Sequence, residues 1–340
     1  MSNLAVSNRT KVWLLAGLFA VLCAFPQIAS GYQTSLLAKF IVFGIFALSL
    51  DLIWGYSGIV NFGHAIFFGG GAYAMGIALK YLSFPGATYL AMLFAVFVPT
   101  LAGILIGYFL FYGRVGGVFF GVVTLALTGV VQSIVIISSD LTGGMNGLFD
   151  FAPPKLGIPG IVEFDLFSPT VSYYTVLAAA LGFYLLCRYI VGSDFGRVIQ
   201  AIRDDEERVE YLGYNVPFLK VVIFAISCAI AGFSGALYVP LGFISPDLLG
   251  IERSAAVLVW VAVGGRGTLI GAFVGAITVS YLQTFLSDQF VTLWLMFIGL
   301  LAILVILAWP TGIVGFFKAR PILALFPSGR VKRVAGHAPD

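Results

Sequence analysis

Asn61 and His64 are the first residues in this sequence whose type and spacing suggest chemistry. They sit in GYSGIVNFGHAIFFGGGAY, residues 55–73, an otherwise apolar and glycine-rich stretch. Residues three apart share a helix face, so the pair is expected to lie together on one face of a helix. Two uses are open for it: lining a translocation path or its gate, or hydrogen-bonding helix ends in a packed interior. Gly69 and Gly70, on the same run, allow a second helix or irregular backbone to come close. Asp51 stands inside an apolar run, where a charge costs roughly 2.5–3.5 kcal/mol, so it is expected to reach interfacial water or pair with a neighbouring span, as a gate or a structural group. Gln132, with Ser133, is a further polar position on a span. Thr142 and Asn146, in TGGMNGL, either shape a mouth or close a turn. Arg266, in GGRG, reads as an anchor or a gate-stabilising group.

Catalysis is excluded by the same inventory. His64 and His337 are the only histidines, and His337 lies in a polar tail. Cys23, Cys187 and Cys228 fall within apolar runs, at neither disulfide nor metal-ligand spacing. No GxxxxGK[ST] loop occurs, so ATP has no phosphate cradle of the usual kind in this chain. The expectation is therefore no enzyme activity, no metal and no cofactor of its own.

The elements that must position these residues follow from composition. Hydrophobic residues make up 60% of the chain and charged ones 10%, with a mean hydropathy of +1.05. A soluble domain carries about 25% charged residues, so this is an all-α polytopic membrane protein. Apolar runs near the ~20 residues that cross a bilayer fall at 12–30, 36–54, 64–82, 87–112, 118–138, 170–190, 217–240, 268–287 and 290–309. A shorter run, 254–264, is either a tenth span or re-entrant. Ten spans with both termini cytoplasmic put 14 of the 18 Lys and Arg residues inside, leaving Lys39, Lys80, Lys155 and Arg253 outside. That bias is the positive-inside rule, and it selects ten. The first run follows Arg9 and Lys11 but lacks a small-x-small cleavage site, so it reads as an uncleaved helix. The resulting organisation is a cytoplasmic N-terminus over 1–11, a transmembrane domain over 12–317, and a basic tail over 318–340 lying against anionic lipid.

Two segments interrupt the apolar pattern. Residues 139–169, expected outside, carry Pro153, Pro154, Pro159 and Pro169 and are too long for a mere hairpin. Residues 191–216, expected inside, belong to a stretch, Asp194 to Lys220, that holds ten of the 33 charged residues (18 basic, 15 acidic). Its grammar is helical. Asp204 or Asp205 caps a start, Glu206 and Glu207 favour the positive helix end, Val209 and Leu212 form an apolar edge, and Gly213 stops it. A short amphipathic helix between two spans, with Arg203 just before it, reads either as a solvated connector or as a partner-docking surface, and the caps favour docking.

Taken together, LDLIWGYSGIVNFGHAIFFGGGAYA (50–74), TGGMNGL (142–148), GRVIQAIRDDEERVEYLGYNV (196–216), AGFSGALY (231–238), VAVGGRGTLIGA (261–272) and PTGIVGFF (310–317) resemble the permease subunits of ABC importers for branched-chain amino acids and urea. The likeness runs from about Leu36 to Phe316 and is nearer the larger of the two permease types. It implies a type II importer-like fold in a bacterial inner membrane. The partners it implies are separate ATPase subunits that use ATP and Mg, a second homologous permease and an external substrate-binding protein. No nucleic acid is implied. The segment from Ala201 through Gly213 is then the coupling helix, with Val209, Tyr211 and Leu212 filling a groove on the ATPase. The wording WVAVGGRGTLIGA (260–272) resembles the urea members, so the expected cargo is a small polar nitrogen compound, urea or a short amide first and branched-chain amino acids next. The rival is an ion-coupled secondary transporter or channel, which would need more than Asp51 to relay charge.

Overall fold

The computed structural model describes residues 22–82, 84–158, 162–290, 296, 299–300 and 312–319. The expected cytoplasmic N-terminus, most of the first run, nearly all of the run at 290–309 and the basic tail lie outside the described residues. In chain order the helices are α1 Gly31–Ser57, α2 Ala65–Tyr81, α3 Ala87–Tyr112, α4 Gly117–Ile137, α5 Pro169–Gly192, α6 Asp194–Asp204, α7 Glu206–Tyr211, α8 Val216–Tyr238, α9 Ile251–Gly264, α10 Leu269–Gln289 and α11 Gly312–Ala319. Six of them, α1, α3, α4, α5, α8 and α10, are long and apolar enough to cross a membrane.

α1 is the central helix. A capping box starts it: Gln33 N donates to Ser30 Oγ at 3.3 Å, and Ser30 N donates to Gln33 Oε1 at 3.2 Å. Gly58 ends it at φ 77°, a left-handed cap that favours glycine. Its most apolar window is 83% buried, against 22–56% for the other five. A helix that is apolar all round belongs in the middle of a bundle, and this one has α5, α6, α8, α9 and α10 packed around it, with Phe68 of α2 stacked on its Phe46.

Small residues set how closely those neighbours stand. A side chain on Gly71 of α2 would run into the main chain of Gly232 on α8, and one on Gly103 of α3 into Cys228 of α8. Gly264 of α9 meets Gly271 of α10 in the same way. Lipid tails are as apolar as leucine, so helices in a bilayer associate by such tight packing rather than by a hydrophobic drive.

Two runs expected as spans are short. The run at 64–82 gives α2, 17 residues, and the run at 254–264 gives α9, 14 residues. At 1.5 Å per residue α9 is about 21 Å long, well under the ~30 Å hydrocarbon core.

The segment 139–169 corrects the all-α expectation. It holds a single helical turn, Ser139–Thr142, a 3-10 turn, Gly144–Asn146, and an antiparallel ribbon, β1 Lys155–Ile158 with β2 Val162–Asp165, in which Lys155 pairs with Asp165. Strands of four residues beside Pro153 and Pro154 are too short to show an alternating pattern. The Lys155 ammonium lies 3.0 Å from Glu163, whose hydrogen bond and charge hold its pKa above the ordinary lysine value. Tyr89 of α3 fixes the ribbon, its hydroxyl lying 2.8 Å from both the N–H and the carbonyl of Gly157.

Candidate functional site

α1 ends at Ser57, yet α2 does not start beside that end. The chain turns at Gly58 and re-enters the bundle, where His64 Nε2 lies 2.8 Å from Ser49 Oγ. Ser49 is eight residues before the end of α1, a rise of about 12 Å, so α2 begins in the interior. Asn61 makes the turn: its Oδ1 accepts from Gly63 N at 2.9 Å, and its Nδ2 lies 3.2 Å from His64 Nδ1. An amide donor at Nδ1 leaves the imidazole proton on Nε2, facing Ser49. The Ser49 hydroxyl in turn donates to Phe46 O at 2.6 Å. Both Asn61 and His64 are fully buried. The expectation of a shared helix face is corrected here: Asn61 precedes the helix and His64 stands at its cap, so a turn brings them together.

A second helix starts at the same depth. After α8 the chain forms a 3-10 turn, Pro246–Leu249, and then α9. Ser254, in the first turn of α9, accepts from Ala65 N, the first residue of α2, at 3.2 Å. The starts of two short helices therefore meet inside the bundle. Gly69 makes room for Leu248 and Leu249 of this segment, whereas nothing closer than Pro99 at 3.9 Å stands over Gly70. Gln132 lies over the N-cap of α9, with its Nε2 3.3 Å from where a Cβ on Gly250 would stand. Thr142 and Asn146 are elsewhere. Gly63 packs on Thr124 and Thr128, and Thr128 is nine residues before the end of α4, about 14 Å of rise. Thr142 closes that end, its Oγ1 donating to Val135 O at 2.6 Å, and Asn146 is exposed beyond it.

The C-terminal end of α1, beyond Ser49, is a knot of main-chain bonds. Buried Asp51 accepts from Gly267 N at 2.7 Å, and Tyr56 donates its hydroxyl to Gly267 O at 3.0 Å. Gly267 has φ 69°, a turn conformation suited to glycine. Of the two fates open to Asp51, pairing with a neighbouring segment is the one realised. Arg266 is exposed, its guanidinium 5.1 Å from the Trp54 ring. From α6, Arg203 Nη1 donates to Gly55 O at 2.8 Å while its Nε and Nη2 donate to Asp204 Oδ1. A cation thus holds a carbonyl in the last turn of α1, where the helix dipole favours it.

α6 and α7 together replace the one helix expected over 204–213. α6 is capped by Ser193, whose Oγ accepts from Gly196 N at 3.2 Å, and it buries Ile199 and Ile202. Asp205 caps α7, accepting from Arg208 N at 3.1 Å, and Glu206 and Glu207 occupy its first turn. Gly213 follows at φ 89°. The expected apolar edge is corrected: Val209 is 4% exposed and faces the chain itself, while Tyr211 is 88% and Leu212 71% exposed. Glu206 pairs with Lys220 at 2.6 Å and Glu210 with Arg114 at 3.1 Å. Such surface pairs contribute about 0–1 kcal/mol each, so burial of Val209 and the two isoleucines does most of the holding. Between these helices and the 58–62 turn opens a cavity of about 510 Å³, lined by Gly58, Val60, Phe62, Arg203 and Glu206 among others.

Ser49, Tyr56, Ser254 and α6 are additions that sequence reading missed. For α6 a signal was present, since Ser193 precedes apolar residues at helical spacing (Val198, Ile199, Ile202). Ser49 and Ser254 are short polar residues in apolar runs whose partners are 15 and 189 positions away, and only tertiary structure joins them. Among the described residues, no three His, Cys, Asp or Glu side chains stand together as metal ligands would.

The sequence has known relatives. A family model described as "Branched-chain amino acid transport system / permease component" matches residues 32–306. The high-affinity branched-chain amino acid transport system permease protein LivM of Salmonella typhimurium is 27% identical over 95% of this chain and 79% of its own length. LivM of Escherichia coli K12 is 26% identical over 93% and 77%, and a probable LivM of Methanocaldococcus jannaschii is 23% identical over 88% and 97%. None of these names mentions urea, so the urea reading of residues 260–272 gains nothing from them. No solved structure matches the chain. With a helical, multi-pass architecture and a family match over most of its length, the chain belongs to the branched-chain amino acid permease family of ABC importers.

Proposed function

We propose that this chain is the membrane-spanning half of an ATP-driven importer that carries a branched-chain amino acid across a bacterial inner membrane. The relatives' names favour that cargo, and urea is the alternative that the wording at 260–272 favours. Ten spans with both termini cytoplasmic, as charge placement suggests, put α6 and α7 on the cytoplasmic side. A homologous permease completes the pore, ATPase subunits dock on α6–α7, and an external binding protein meets the side carrying Thr142, Asn146 and the ribbon.

The observation that carries this reading is the Arg203–Gly55 bond, which ties the docking helices to the end of the central helix. Closure of the ATPase dimer would displace α6–α7 as a unit. Arg203 would pass that motion to α1, and the Asp51–Gly267 bond would pass it to the turn between α9 and α10. The short helices that meet at Ala65 and Ser254 would then shift, with Asn61, His64, Gly69, Gly70 and Gln132 beside the opening path. All chemistry is in the partner ATPase.

The test is uptake of labelled leucine and labelled urea into proteoliposomes holding the complete transporter and its binding protein, with and without internal ATP. ATP-dependent leucine uptake supports the proposal. Urea uptake alone overturns the cargo, and uptake that ignores ATP overturns the importer.

A further inference from the structure

Lys39 and Arg253 count as external basic residues in the sequence, yet both are drawn into the bundle. Lys39 is on α1, and its Nζ stands 5.4 Å from the centre of the Tyr238 ring. Arg253 is on α9, with its guanidinium carbon 5.1 Å from the centre of the Phe43 ring. Phe43 and Tyr238 are buried and stacked on each other, 5.8 Å between centroids, so the two cations flank one aromatic pair. Phe43 is one helical turn after Lys39.

Neither cation takes part in a salt bridge among the described residues. Arg253 Nε is buried there without a hydrogen-bond partner. A guanidinium whose Nε is buried in this way is costly in a membrane unless something accepts its hydrogen bond. Arg253 also lies in the first turn of α9, which begins inside the bundle and has no side chain capping its N-terminus. Half-helices that start within a membrane direct their positive ends at anionic substrate groups. Asp247 and Glu252 lie within electrostatic reach of the guanidinium without ion-pairing to it, and Asp247 also lies within reach of the buried Tyr73 hydroxyl.

We propose that Arg253, in the first turn of α9, and Lys39, on α1 against which α9 packs, bind the carboxylate of the transported amino acid on its way through, with Asp247 facing its ammonium group. The proposal rests on the amino-acid reading above. It adds the residues that would tell an amino acid from an uncharged amide, because urea offers no carboxylate to either cation.

The test compares wild type, Arg253→Gln, Arg253→Lys and Lys39→Met in proteoliposomes of the complete transporter, reading labelled leucine uptake and co-purification of the partner subunits. Arg188→Met, at an exposed position on α5 that has no role in the account, controls for loss of a basic residue. Losing a charged hydrogen-bond partner is expected to lower uptake roughly tenfold or more in Arg253→Gln and Lys39→Met, with Arg253→Lys between them and wild type and Arg188→Met unchanged. Uptake within twofold of wild type in Arg253→Gln or in Lys39→Met overturns the proposal. If Arg253→Gln does not assemble, Lys39→Met and Arg253→Lys decide it by the same criterion. An anionic lipid headgroup is the other source of such a charge. A defect that persists in phosphatidylcholine vesicles supports the substrate, and a defect confined to vesicles containing phosphatidylglycerol overturns it. A wild-type transporter that moves urea and no leucine would instead show the amino-acid reading to be wrong, and that result is seen before any variant is made.

Discussion

At the scale of single residues, adjacent glycines in one motif do different work. Gly71 is held against the main chain of Gly232, while a Cβ on Gly70 would meet only Pro99, at an ordinary contact distance of 3.9 Å. Gly71→Val therefore has to push α2 and α8 apart, and overpacking of that kind costs roughly 3 kcal/mol or more where backbone cannot yield. Gly70→Ala should leave the melting temperature in detergent unchanged or slightly raised, since alanine is the better helix former by about 1 kcal/mol. Thermal unfolding of the two purified variants separates the cases, and equal melting would contradict the packing described. The same distinction explains part of what the sequence could not say. GGGAY marks a close approach, but which glycine makes it depends on the rotation of α2, and that is fixed by Leu248, Leu249 and Gly232.

At the scale of elements, the apolar runs were read almost to the residue: 87–112 is α3, and 118–138 is α4 shifted by one. Length and hydropathy suffice there because a bilayer demands both. They fail where the chain re-enters. Asn61 and His64 have helical spacing, yet the helix starts after them, because the Asx turn at Asn61 satisfies the backbone differently. The segment over 204–213 was legible by its caps, Asp205 and Gly213, but not by its faces. Three-residue spacing suggested that Val209 and Leu212 point the same way, whereas α7 ends at Tyr211 and releases Leu212 to solvent. Val209→Ala is accordingly a stability variant, expected to cost about 1–3 kcal/mol as read from thermal unfolding of the isolated permease. Leu212→Ala, with its side chain already exposed, is expected to leave that unfolding unchanged.

At the scale of the whole molecule, a central helix is tied at one end to a surface element and at mid-depth to the start of α2, which is bonded in turn to the first turn of α9. The ties are few and specific: Arg203 to Gly55, Asp51 and Tyr56 to Gly267, His64 to Ser49, and Ala65 to Ser254. A central helix bonded in this way can carry a displacement from α6 to the interior. The chain has no phosphate loop with which to generate that displacement. The central claim is thus that work enters through the exposed part of α7 and the residues after it. The most direct measurement is ATP-dependent leucine uptake by the complete transporter carrying Glu207→Ala together with Leu212→Ala, with ATPase co-purification followed in parallel. The account predicts that the permease still inserts, that the ATPase no longer co-purifies, and that uptake falls to the level seen without ATP. Unchanged uptake with the ATPase still bound would contradict it.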